Sequence, residues 1–345
     1  MKVDGNIGGG VDGTGGGDLA VIAGQVAAAE EAGYDGVWTT EVGHDPFLPL
    51  LLAADRSPAL TLGTAIAVAF ARSPMTVAAV ANDLQSLSSG RFVLGLGSQI
   101  KAHIERRFSM PWSEPAARMR EFVLALRAIW SSWSDGSPLS FRGEFYQHTL
   151  MTPMFTPDRN PWGPPPVLIA AVGPRMTQAA AEVGDGLIVH GFTTERYLRE
   201  VTWPIVEAGL NTSGRTRDEF TVSYPGLLAT GDTDDAMEAA IAAVRGQLAF
   251  YGATPAYRPV LELHGWGDLH DELHQLSLRG DWAAMAGLVD DTVLDAFAVV
   301  AAPGEAGREI HRRFGGLIDR YTLYAPYALD DEVRRHVITS LHKEA

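Results

Sequence analysis

Short runs of β-branched and other apolar residues alternate along this chain with longer segments of helical period. Lys2–Ile7 predicts a first strand, and Asp18 stands as an N-cap before a helix over Leu19–Ala32. Gly33-Tyr34-Asp35-Gly36 ends that helix and leads into a second strand, Val37–Thr40. Leu60–Ala67 reads as a third strand, followed by a helix over Met75–Leu87. Ser88-Ser89-Gly90 breaks the chain before a fourth strand, Phe92–Leu96, and a long amphipathic helix covers Glu114–Trp133. Val167–Ala171, Leu187–His190 and Thr221–Ala229 supply three more strands, with a helix at Met176–Val183 between the first two. Asp319–Tyr324 fits an eighth strand and Asp330–Lys343 a closing helix.

Strands this apolar, each joined to the next by a helix, mean a parallel sheet covered on both faces. Eight such units, with Gly33-Tyr34-Asp35-Gly36-Val37 echoed by Val183-Gly184-Asp185-Gly186-Leu187, favour a closed (β/α)8 TIM barrel over an open sheet. Two stretches break the rhythm: 134–166, rich in Pro and aromatics, and 253–295, irregular and then helical. Neither has the core or linker pair of an independent domain, so residues 1–345 are expected to form one domain with both stretches inserted around the barrel mouth, 134–166 and 253–270 serving as its lid.

Composition narrows the function classes. A hydrophobic content of 46% over 345 residues supplies a sizeable core. A formal charge of −15 argues against nucleic acid or an anionic membrane as partner, yet allows an anionic cofactor held by local arginines and helix N-termini. The absence of cysteine excludes disulfides and thiolate metal sites and suits a cytoplasmic location. No signal peptide is expected, and the longest apolar stretch, Ala59–Ala71, is too short to span a bilayer.

In a barrel the chemistry lies just past the C-terminal end of each strand. Strand two runs into Glu41-Val42-Gly43-His44-Asp45, two carboxylates and an imidazole within five residues. His44 is the natural proton donor or acceptor, tuned by Glu41 or Asp45; the alternative is a loop that caps the next helix. The small residues of strand three allow close approach of a flat ring on which Phe70 could stack, or simply tight packing. Gly95-Leu96-Gly97-Ser98-Gln99 and Ala170-Ala171-Val172-Gly173-Pro174-Arg175-Met176 each present backbone N–H groups at a helix start, with Arg175 adding a cation. His190 points at the mouth or into a loop hydrogen bond. The glycine run Gly8-Gly9-Gly10 to Gly15-Gly16-Gly17 reads as a loose loop, and His264, His270 and His274 as part of a solvated helix without a metal. A barrel glycosidase would need Glu41 and Glu144 as its paired carboxylates and would leave both glycine turns unexplained.

Taken in order, these strand ends resemble the luciferase-like superfamily, and within it the F420-dependent oxidoreductase branch. The resemblance is carried by Ala32-Gly33-Tyr34-Asp35-Gly36-Val37-Trp38 with Glu41 and His44, and by Gly63-Thr64-Ala65-Ile66 with Arg72-Ser73-Pro74. It continues through Ser89-Gly90-Arg91-Phe92 into Gly95-Leu96-Gly97-Ser98, Ala170–Pro174, Gly184-Asp185-Gly186, and the stretch from Gln99 to Trp112. It implies a deazaflavin ring, coenzyme F420 with FMN as the alternative, against a non-proline cis peptide at Ala65-Ile66. It further implies cofactor contacts from Thr40, Phe70, Gly97, Ser98, Gln99, Ala171, Val172, Gly173, Pro174, Arg175, Met176 and His190, with His44 or Glu41 relaying charge during hydride transfer. The sugar-phosphate dehydrogenases of the branch carry a glutamate after strand four and a lysine after strand six, where this chain has Gln99-Ile100 and Gly191-Phe192. The implied substrate is therefore another small organic molecule, with Trp112, Trp162, Phe192 and Trp266 as an apolar face. The implied assembly is a homodimer through the helices after strands two and three. An FMN-dependent monooxygenase and a non-catalytic cofactor-binding protein are the competing readings.

Overall fold

A computed structural model of the chain describes residues 1–9 and 18–344. Its eight principal strands are β1 (Lys2–Asn6), β2 (Gly36–Thr39), β3 (Thr61–Thr64), β4 (Phe92–Gly97), β5 (Val167–Ala171), β6 (Gly186–Val189), β7 (Thr221–Ala229) and β8 (Arg320–Tyr324). Every neighbouring pair is parallel, and β8 pairs with β1 through Val3 and Tyr321, so the sheet closes on itself as a TIM barrel. The helices that wrap it include α1 (Ile22–Ala32), α2 (Phe47–Arg56), α3 (Pro74–Leu87), α4 (Pro115–Asp135), α5 (Pro174–Val183) and α6 (Trp203–Ser213). Then come α7 (Asp234–Gly252), α8 (Gly267–Arg279), α9 (Ala306–Phe314) and α10 (Asp331–Lys343). Strand ends fall within a residue or two of the sequence expectation, except that strand three ends at Thr64 rather than Ala67. Asp18 begins its helix as expected, accepting from the Ala20 N–H at 2.8 Å.

The echo between Asp35 and Asp185 has a physical cause. Each carboxylate sits just before a strand and accepts an N–H at the start of the strand before it: Asp35 from Val3 and Asp185 from Val167, both at 2.8 Å. Asp319 repeats the contact with Val222 at 2.7 Å, although no glycine pair flags it. Three carboxylates thus pin consecutive strands together at the base of the barrel.

The interior is filled by Trp38, Leu168 and Ile188, with Val93, Ala65, Ile66 and Ala170 packed against them. Below them Asp4 and Arg320 form a bidentate ion pair at 2.8 and 2.6 Å. Gly63 and Gly95 make this filling fit. A Cβ at Gly63 would overlap the Trp38 indole, and one at Gly95 would overlap the Thr64 carbonyl oxygen.

The two insertions separate. Residues 253–295 are almost wholly helical, and with α7 they build a lobe at the mouth whose core, including Leu248, Leu261, Leu273, Met285 and Phe297, is shared with Phe192, Leu227 and Tyr324 of the barrel. The lobe returns through Val299-Val300, which pairs with the end of β7. Residues 134–166 correct the expectation of a second lid. They leave the C-terminal end of α4 and enter β5, so both ends lie at the barrel base. A hairpin pairing Phe141 with His148 climbs beside α4, held by Glu121, and carries Tyr146 up to Arg118. The rest returns downward: Asn160 donates to the Asn82 carbonyl, and Trp162 packs over Gly90. Trp162 therefore sits at the opposite end from the mouth. The sequence order of helix, insert and strand, rather than aromatic content, decides that.

Gly95→Ala places a methyl group against a fixed backbone oxygen and is expected to cost about 3 kcal/mol or more. Gly24→Ala on the open face of α1 meets nothing within 4 Å and should gain about 1 kcal/mol. Urea unfolding midpoints check both; equal midpoints for the two variants would refute this account of the interior.

Candidate active site

Strand two ends in the loop that carries Glu41, His44 and Asp45. Glu41 is buried, and both its carboxylate oxygens are engaged: Arg72 Nη1 donates at 2.9 and 2.7 Å, and the Val68 N–H donates at 2.7 Å. Asp45 accepts from the other arm of Arg72 at 2.8 Å and from the Phe47 N–H at 2.9 Å, where α2 begins. Burial alone would depress the Arg72 guanidinium, but its hydrogen bonds to Glu41 and Asp45 hold it above its ordinary pKa. Glu41 is thus a strut between the ends of strands two and three. His44 is exposed beside it and makes no hydrogen bond to the described residues.

Beyond β3 the peptide between Ala65 and Ile66 is cis, at the position the family resemblance implied. The Ala65 N–H donates to Thr39 at 2.7 Å, and the Ile66 carbonyl accepts from Glu41 at 3.3 Å, so the bulge is braced on the strand-two side. On the other side Gly97 leaves room for the Ile66 side chain, which a Cβ would meet at 2.7 Å. Ala65, Ile66 and Ala170 remain half-buried and form an apolar floor over Trp38 and Ile188. Phe70 is a correction. Its ring is fully buried, with Trp112 edge-on at 5.9 Å and the Arg118 guanidinium at 4.6 Å. No face remains for a cofactor.

The strand-four end places half-buried Ser98 and Gln99 at the rim, and Gln99 adopts a positive φ of 59°. The strand-five end is more open. Ala171 is buried, but Val172, Gly173, Pro174 and Arg175 are exposed and Met176 half-buried. No side chain caps α5, and nothing lies within 4 Å of a Cβ built on Gly173. The first N–H groups of this ten-residue helix therefore face open space beside the Arg175 guanidinium. This donor set suits a phosphate or carboxylate, and the apolar floor suits a flat ring, so the residues fit an anionic flavin-type cofactor. The glycine run at 10–17 lies outside the described residues.

His190 closes the far side. Its Nδ1 accepts from the Phe192 N–H at 3.0 Å, and its Nε2 lies 2.9 Å from the Tyr257 hydroxyl. Burial pushes its pKa down to about 4. Tyr257 stacks on it at 4.3 Å, and Tyr251 meets it edge-on at 4.8 Å. Both readings of His190, mouth and loop hydrogen bond, hold together. Phe192 and Trp266 belong to the lobe core rather than to an open face. His264, His270 and His274 are not a solvated set: His270 is buried and bonds the Gly252 carbonyl at 2.7 Å, and His274 bonds Ala253 at 2.9 Å, tying α8 to the end of α7. His264 pairs with the Thr194 hydroxyl. Arg72, Tyr251 and Tyr257 carry this geometry, yet no local motif marks the two tyrosines. Tyr251 stands at the end of α7 and Tyr257 in the insert, both far from any strand-end pattern.

The closed parallel barrel with its surrounding helices places the chain among (β/α)8 proteins of luciferase-like fold. The chain belongs to the luciferase-like monooxygenase family, whose model matches residues 5–320. An uncharacterized protein of Mycobacterium tuberculosis is 57% identical over 302 residues, covering 88% of this chain and 89% of that one. The 5,10-methylenetetrahydromethanopterin reductase of Archaeoglobus fulgidus is 30% identical over 294 residues, covering 83% of both. The structure of the coenzyme F420-dependent tetrahydromethanopterin reductase from Methanopyrus kandleri superposes with a TM-score of 0.81 at 20% identity, covering 100% of this chain and 99% of that one. Homologues include F420-dependent oxidoreductases, and related proteins use F420 or FMN. Among the described residues, no helix is long and apolar enough to cross a membrane.

The depressed pKa of His190 has a consequence for stability. Unfolded, the imidazole titrates near pH 6.5; folded, near pH 4. As pH falls between these values the unfolded chain binds a proton that the folded one refuses, so stability present above the unfolded pKa is lost. The full loss is about 3 kcal/mol. Melting temperatures measured from pH 7 downward should fall more steeply for the wild type than for His190→Leu; parallel profiles would show that the buried imidazole is not the cause.

Proposed function

We propose that this protein is an F420-dependent oxidoreductase acting on a small organic substrate at the barrel mouth. The observation that carries the reading is one juxtaposition: the apolar floor of Ala65, Ile66 and Ala170 shares the mouth with the uncapped start of α5 and Arg175, which follow Ala170 directly at the end of β5. When bound, the deazaflavin supplies a ring carbon that takes or gives a hydride. Ala65 and Ile66 would support the ring, with Thr40, Gly97, Ser98 and Gln99 around its edge. The N–H groups of Gly173, Arg175 and Met176 and the Arg175 guanidinium would hold the phosphate and carboxylate arm. His44 is the titratable group left free to exchange a proton at the strand-two rim, because Arg72 and the Val68 N–H occupy Glu41. The apolar floor and the enclosing lobe exclude water from the ring. F420 is preferred to FMN because named homologues are F420-dependent oxidoreductases.

Fluorescence titration with F420 and with FMN tests the cofactor. F420 should bind, and Arg175→Ala should weaken it roughly tenfold through loss of a charge-assisted hydrogen bond. Tight FMN binding without F420 binding would move the protein to the monooxygenase reading.

We further infer a homodimer through α2. Leu48, Leu51 and Leu52 lie on one face of this helix and are 47%, 45% and 39% exposed. Sedimentation should show a dimer that Leu51→Lys converts to monomer; a wild-type monomer ends this part of the proposal.

A further inference from the structure

Ile188 packs inside the barrel beside Trp38 and Leu168. Side chains two apart on a strand share a face, so His190 rises from the interior into the mouth. Its Nδ1 accepts the Phe192 N–H and holds no proton. The ring stays neutral at ordinary pH because burial lowers its pKa to about 4. A neutral imidazole with an accepting Nδ1 carries its proton on Nε2. The contact between Nε2 and the Tyr257 hydroxyl therefore has one polarity: the imidazole donates and the phenol oxygen accepts.

That leaves the phenol proton of Tyr257 without an acceptor among the described residues. The ring is fixed by its stack on His190 and by Tyr251 and Phe192 around it, so the hydroxyl has little freedom to turn away. Burial raises its pKa to about 12, which keeps the proton in place. An O–H whose oxygen already accepts a hydrogen bond is the stronger donor for it.

We propose that Tyr257, oriented by the Nε2–H of His190, is the hydrogen-bond donor that the mouth presents to a carbonyl-type oxygen of the substrate. This rests on the reading of the mouth as a substrate site. His190 is the positioning residue. The acceptor is a neutral oxygen rather than a carboxylate or phosphate, because among the described residues no cation touches either ring. Arg258, the next residue, spends its guanidinium on Glu262 and Asp271. Tyr257 belongs to the mouth lobe and His190 to the barrel, so substrate choice is set where the insert meets the strand ends.

The test uses the intact protein labelled with 15N-histidine and with 13C at the tyrosine Cζ, and two ligands of one shape, cyclohexanone and methylenecyclohexane. His190 should show the Nε2–H tautomer, without protonation, from about pH 8 to about pH 5. Cyclohexanone should move the Tyr257 resonance and bind about fivefold more weakly to Tyr257→Phe. Methylenecyclohexane, which lacks the oxygen, should bind both proteins alike. An Nδ1–H tautomer, no response to cyclohexanone, or the same affinity ratio for ketone and alkene overturns the proposal. Tyr257→Phe should keep its F420 affinity by fluorescence. Failure of the wild type to bind F420 would defeat the cofactor reading alone and leave the ketone comparison standing.

Discussion

Closure of the barrel is the constraint on which everything else in this molecule depends. Strand one must find strand eight, and the ion pair that marks their meeting joins Asp4 to Arg320, 316 residues along the chain. Inside the barrel this pair is shielded, with Asp4 fully buried, so it rewards one arrangement and penalises any in which either charge is left alone. The aspartates at 35, 185 and 319 repeat the same logic between neighbouring strands. With the base fixed in this way, the strand ends at the other face hold their positions, and loops there can carry chemistry without carrying stability.

The mouth divides its labour between charged groups that hold and polar groups left free. Glu41, Arg72 and Asp45 form a closed set that braces the bulge at Ala65-Ile66. With both its oxygens so engaged, Glu41 serves to hold the strand ends in place. The groups that remain available are different in kind: His44 at the rim, the uncapped start of α5 with Arg175, and the hydroxyl of Tyr257. Of two neighbouring parts of the mouth, at the ends of β5 and β6, one thus suits an anionic arm and the second a neutral oxygen. The helical lobe after β7 closes over the second part, and its histidines serve that closure through backbone carbonyls.

Much of this was legible in the residues. The alternation of apolar strands with helices gave the barrel, because period and burial are local properties that each segment expresses on its own. The family resemblance implied the cis peptide at Ala65-Ile66, and the strand-end motif itself placed the open helix start at Gly173-Pro174-Arg175, which depends on small residues just past a strand. Phe70 and residues 134–166 were misread for a shared reason. An aromatic side chain packs as readily under a helix as over a ligand, and composition does not distinguish the two ends of a barrel. The order of elements does, as the path from α4 into β5 makes plain.

The sequence by itself determined the class of fold, the family and the positions where strands end, all of which follow from patterns within a few residues. The tertiary structure decided which polar groups are spent and which are free. Glu41 and Arg72 are 31 residues apart, and His190 and Tyr257 are 67 apart. Whether a carboxylate braces a strand or moves a proton, and which way a hydrogen bond runs, depends on neighbours that only folding brings within 3 Å of each other.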